Sequence, residues 1–247
     1  MHKNFGFSLG LIVLFFLSAS KADALGLEGV GGWEEDSHAS GFAFYGLSGT
    51  YTLRDPIALL GKVEGSYLYY QYGSSDDLTR VTSPGVRLMS GIKVQLKGSM
   101  GFLLGGVEQR WNRTVERSST EVLSAHTDPQ RAAVVQGMID ARLSKAWSMN
   151  LFADYGAANH YRFTRLALKR QVHFGPVPPG ILFLGIEGIA QGNKDIFTVQ
   201  EGGLIELHLG RGPASVMVKA GNKESWSSDH SHQGGAYVGI GLYTQFK

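Results

Sequence analysis

The first candidates for chemistry in this chain are ionisable residues set at alternating positions in otherwise apolar stretches. They are Lys62, Glu64, Arg87, Lys93, Asp140, Arg142, Asp154, Arg165, Lys169, Glu187, Glu206, His208 and Lys219. Both signs occur on neighbouring stretches, so the groups can neutralise one another as ion pairs or line a narrow polar passage. A buried charge demands a partner whatever the function. The lining is compatible with a carbohydrate or small-anion path and does not establish one. The second candidate is Ser227-Ser-Asp-His-Ser-His232, where serine, histidine and aspartate come close together. Nucleophilic hydrolysis needs those groups in a fixed mutual geometry, which adjacent residues of a loop seldom hold. His230 and His232 are candidate metal ligands, but two ligands leave a site incomplete. The segment reads as a solvated loop, and no catalytic residue, metal or cofactor is expected. His160 and His173 stand at strand ends without a visible partner.

The elements that carry these charges follow a period of two. In the closing stretch, Ala236, Val238, Ile240, Leu242, Thr244 and Phe246 fall on one face of a strand, and Tyr237, Gly239, Gly241, Tyr243 and Gln245 on the other. An apolar ladder ending in an aromatic residue is the pattern of a strand that closes an outer-membrane barrel, and the signal by which the barrel-assembly machinery receives such chains. Residues 130–143 alternate as cleanly, with Ala133, Val135, Ile139 and Leu143 facing away from Gln136, Asp140 and Arg142. Twelve such segments can be placed along the chain. Tight turns at residues 54–56, 97–98, 144–147, 175–180 and 210–213 alternate with mostly longer polar connections at 34–38, 73–84, 118–129, 191–195 and 224–234. A soluble β-sandwich has no reason to sort its loops by length. Outer-membrane barrels do, with short periplasmic turns and longer external loops. The expected fold is therefore all-β, a closed antiparallel up-and-down transmembrane β-barrel of twelve strands, with ten or fourteen as alternatives. Aromatics agree: Tyr67–Tyr72, Trp111, Tyr155, Tyr161 and Phe163 gather at one set of strand ends, and Trp147, Phe174 and Phe246 at the other. Two aromatic belts are expected at the membrane interfaces.

Residues 1–24 combine a basic start, an apolar run over 5–17 and an Ala22-x-Ala24 ending, the pattern of a cleaved signal peptide. The run is shorter than the ~20 apolar residues a spanning helix needs, and no later segment supplies one. Residues 25–247 form a single outer-membrane β-barrel domain on this reading, placed in the bacterial outer membrane with both termini periplasmic. Removing the leader lowers the formal charge from +2 to about +1, without the basic footprint of a nucleic-acid binder. No cysteine is present, so disulfides and thiolate metal sites are excluded.

The chain resembles the BcsS family, barrel proteins associated with bacterial cellulose biosynthesis, through two stretches. Gly41-Phe-Ala-Phe-Tyr-Gly46 lies in an early strand, and Gly185-Ile-Glu-Gly-Ile-Ala-Gln-Gly-Asn193 resembles the family's Gly-Pro-Glu…Gly-Asn segment. The resemblance implies a non-enzymatic outer-membrane component of exopolysaccharide (cellulose) biosynthesis or export. The partners expected are outer-membrane lipid and lipopolysaccharide, the barrel-assembly machinery, and polysaccharide or its synthesis complex. Two alternatives stay open. A narrow solute channel or porin would carry a dominant charge sign in the lumen. A lipid-modifying hydrolase, of the lipid A deacylase or phospholipase type, would carry serine or histidine on the greasy face near the outer rim.

Overall fold

The computed structural model describes residues 26–38, 40–73, 77–118, 122–158, 160–172, 180–194, 196–209, 214–227 and 232–246. The leader, His173, Phe174, His230 and the turn at 210–213 lie outside them. The described chain forms twelve strands: β1 (Gly26–Asp36), β2 (Gly41–Arg54), β3 (Ile57–Gly73), β4 (Asp77–Leu96), β5 (Ser99–Ser118), β6 (Val122–Arg142), β7 (Trp147–Gly156), β8 (Tyr161–Val172), β9 (Gly180–Gly192), β10 (Ile196–Leu209), β11 (Ala214–Ser227) and β12 (His232–Phe246). Each is antiparallel to its sequence neighbours, and β12 returns to β1 to close the cylinder. The seam runs without a break from Leu27 opposite Phe246 to Asp36 opposite Tyr237. Closure pairs the backbone around the whole circumference, the condition for crossing a bilayer with strands.

Side-chain direction follows strictly from the pleat. On β5, Leu103 is 64% exposed while Leu104 is 1% exposed, so two adjacent leucines take opposite faces of one strand. That resolves the apolar run around residues 102–104, which hides the alternation in the sequence. Outward residues on β4 are Val86, Leu88, Ile92, Val94 and Leu96, and inward ones include Arg87, Met89 and Lys93. The exterior is apolar and the interior polar, the inverse of a soluble sandwich. From Val86 to Leu96 the chain takes ten steps of about 3.3 Å at a tilt of roughly 40°, which gives an apolar band ~25 Å tall, matching the hydrocarbon core a barrel must cross.

The barrel is uneven in height. β3 to β6 are 17, 20, 20 and 21 residues long, against 10 for β7. β6 pairs with β7 over residues 134–142, and Ala133 still accepts from Ala157, so residues 122–132 pair with β5 alone and stand above the rim. This corrects the expectation of long polar loops at 73–84, 118–129 and 224–234: most of those residues are strand. Beyond the bilayer the ladder still closes its hydrogen bonds, but water on both faces removes the need for outward apolar residues. The alternation read from hydropathy therefore stops before the strand does. A second correction concerns the aromatics. Tyr155 points outward, but Tyr161 and Phe163 share the inward face with Arg165. Tyr161 donates a 2.8 Å hydrogen bond to Gln191, and Phe163 meets Phe152 edge-on at 5.8 Å.

Two glycines allow β4 and β5 to approach closely. A Cβ on Gly91 of β4 would strike the Leu103 carbonyl, and one on Gly106 of β5 would strike the Leu88 carbonyl, so neither position admits a side chain.

Candidate functional site in the barrel lumen

The chain termini lie at one end of the cylinder, called here the terminal end; the tall hairpins rise from the far end. Between them the lumen holds two ion-pair lattices. In the first, Arg87 of β4 donates from Nε to Glu108 of β5 at 3.0 Å, and from Nη1 to Glu64 of β3 at 3.2 Å and Asp154 of β7 at 2.7 Å. Lys62 donates to Glu64 at 2.6 Å and to Gln136 Oε1 at 2.7 Å. Arg110 donates to Glu108 at 2.6 Å and to Ser66 Oγ at 3.3 Å. Three cations thus meet three carboxylates, all buried, and the Arg87–Asp154 contact spans from β4 to β7 across residues 67 apart in sequence.

The second lattice ties β8 to β12 and back to β1. Glu187 of β9 accepts from Arg165 at 2.7 Å, Lys219 at 3.3 Å and the Tyr237 hydroxyl at 3.0 Å. Lys219 also donates to Glu34 of β1 at 2.6 Å, and Gln200 donates to the same carboxylate at 2.6 Å. Arg165 reaches Asn150 at 3.4 Å, and Asn150 donates to Asp140 at 3.2 Å. Separate pairs join Lys93 to Glu28 and Lys223 to Asp36, each at 2.6 Å. Towards the terminal end Lys169 and His208 both contact Glu206, at 2.8 and 3.0 Å. Arg142 is exposed at the terminal mouth, where its backbone N–H bonds Gly98.

Arg87, Glu108, Gln136 and Gln200 are 4%, 2%, 1% and 1% exposed, values of a packed core rather than of a wetted channel wall. Within the first lattice the charges cancel three against three. That lattice has no excess sign to draw in a counter-charged solute. Among the described residues, cations hold Glu64, Glu108 and Asp154 in the first lattice and Glu34 and Glu187 in the second, while Asp140 accepts from Asn150. Among the described residues no group of three histidines, aspartates or glutamates could hold a metal.

The sequence-level set omitted Glu108 and Arg110, which share the inward parity of Leu104, and Glu28, Glu34 and Asp36, whose strand is masked by glycines. It also omitted Gln136, Gln200 and Tyr237, which satisfy the charges. Strict parity extended to the strand ends finds all of them; cross-lumen partners are not legible, because they face each other across the cylinder and not along a ladder.

Of the Ser/His/Asp segment, Ser227 and His232 are described; Ser227 ends β11 at an inward position opposite Ile196. His232 lies on the outward face near the far rim, stacked on Trp226 at 5.3 Å, with its Nε2 3.8 Å from Glu224 Oε2. His160 Nδ1 lies 3.3 Å from the Tyr155 hydroxyl.

An apolar cylinder wall around a polar, self-paired lumen defines an outer-membrane β-barrel. The chain is similar to the solved COG4313 outer membrane channel from Pseudomonas putida F1, with a TM-score of 0.54 at 8% identity over 93% of this chain and 98% of that one. It also aligns with the beta domain of the Bordetella autotransporter Brka, with a TM-score of 0.48 at 12% identity over 91% of this chain and all of that one. No family model and no curated protein matches the chain, so the likeness to BcsS rests on its two stretches alone.

Proposed function

We propose that this protein is a closed, non-enzymatic outer-membrane barrel serving exopolysaccharide production or export, with cellulose as the polymer, and that both ends of the chain lie in the periplasm. The observation that carries the closed, non-conducting part is the buried, charge-neutral lattice around Arg87, which fills the lumen with protein contacts. The polymer comes from the resemblance of residues 41–46 and 185–193 to the cellulose-associated family. Orientation is supported by the short turns at 55–56 and 97–98 on the terminal end and the tall hairpins opposite, the asymmetry of barrels whose turns face the periplasm. The similar solved barrel is described as a channel, but the buried ion-pair lattice across the lumen argues for a scaffold or docking role here. Deleting the gene in its host should lower extracellular cellulose, with recovery from a plasmid copy. Unchanged cellulose in the deletion strain overturns the polymer assignment.

One observation favours a second reading, a lipid-modifying enzyme: His232 and Glu224 face the lipid side near the far rim. Release of fatty acid from lipopolysaccharide or phospholipid by the purified barrel, lost in His232→Ala, would establish that reading in place of the first.

A further inference from the structure

β4, β5 and β6 leave the apolar band side by side, and each carries an exposed arginine there. Arg80, Arg113 and Arg131 take outward positions, set against inward Val81 on β4, Arg110 on β5 and Val134 on β6. Arg80 is opposite Val115, Arg113 is opposite Thr82 and Thr127, and Arg131 is opposite Gln109. Arg80 and Arg113 are thus diagonal neighbours, roughly 7–8 Å apart. Arg131 lies four residues nearer the membrane than the partner of Arg113, about 13 Å along the strand. Trp111, 39% exposed, stands between them at the edge of the apolar band. Two described acidic residues near the top of this hairpin, Glu116 and Asp128, sit at inward positions and bond Ser124 and Gln130. Among the described residues no carboxylate occupies the outward face of this patch. Across the barrel the outward charges are mixed: Glu201 and Glu224 are exposed, and so are Arg162 and Lys194.

We infer that the arginine arc is a binding site for the phosphorylated headgroup of lipopolysaccharide. Like charges gathered with no counter-ion among the described residues call for an anion. The guanidinium fork matches phosphate in two parallel hydrogen bonds. Two arginine groups set about 13 Å apart suit a lipid phosphorylated at both ends of a disaccharide better than one with a single phosphate. Trp111 supplies the aromatic plate that sits where headgroup meets acyl chain. Continuity with the lipid-facing band through Val86 and Val107 places the acyl chains directly below. The inference rests on the proposed orientation, which puts the tall hairpins in the lipopolysaccharide leaflet.

The test uses the intact barrel in detergent, with binding read by native mass spectrometry. Bisphosphorylated lipid A should bind, monophosphorylated lipid A should bind about ten-fold more weakly, and phosphatidylglycerol more weakly still. In the Arg80→Gln/Arg113→Gln/Arg131→Gln variant the preference for the second phosphate should vanish, while heat-modifiable migration reports that the barrel is folded. Equal binding of the two lipid A forms by the native protein overturns the inference without any variant. A preference for phosphatidylglycerol would overturn it too and would also reverse the orientation. A cellulose phenotype is untouched by either result, so the two proposals fail separately.

Discussion

Arg87→Ala is the most informative single change. Its guanidinium touches Glu64, Glu108 and Asp154 at 3.2, 3.0 and 2.7 Å, with the side chain buried. Truncation leaves Glu64 paired with Lys62 and Glu108 paired with Arg110, both at 2.6 Å. Asp154 has no other ion-pair partner among the described residues. Its buried charge is then uncompensated, at a cost of about 3–5 kcal/mol. Urea unfolding in lipid vesicles, followed by fluorescence of the four tryptophans, would measure it. Because the penalty arises mainly at Asp154, the double variant Arg87→Ala/Asp154→Asn should recover roughly 1–3 kcal/mol of the loss. Arg87→Lys keeps the charge but not the planar fork, and should fall between. A loss below ~1 kcal/mol in Arg87→Ala, the range of an exposed pair, would refute the view that the lattice is a dry structural core.

Ile92→Arg, in the middle of the apolar band, should destabilise by about 2–4 kcal/mol, whereas Thr82→Arg above it should cost no more than ~1 kcal/mol by the same unfolding assay. Tyr237→Phe removes the hydroxyl that donates to Glu187 and should cost about 1.5–3 kcal/mol, the range for a hydrogen bond to a charged group. Gly91→Val forces a side chain into the Leu103 carbonyl; failure to reach the heat-modifiable folded form is the expected outcome, read by gel mobility. His232→Ala should leave lipid untouched in a hydrolysis assay, as should the native protein.

The strands in the bilayer are legible because lipid enforces alternation: Val86, Leu88, Ile92 and Val94 against Arg87 and Lys93 on β4 is readable from the chain alone. The same rule hides what lies outside the bilayer. Residues 77–84 and 122–129 are strand, yet water on both sides leaves them polar and loop-like. Face assignment fails where proximity to a strand end is taken as proof of lipid contact, as at Tyr161 and Phe163. The charges that fill the lumen were mostly legible one by one. Their pairing was not, since Arg87 finds Asp154 through the closure of the cylinder, a property of register and curvature that no local stretch encodes.

Conductance across a planar bilayer tests the closed lumen most directly. The native barrel should give no stable stepwise current in potassium chloride, while Arg87→Ala should admit small, cation-favouring steps past the stranded carboxylates. Steady open channels from the native protein, at a level unchanged in Arg87→Ala, would contradict a lumen sealed by its own ion pairs.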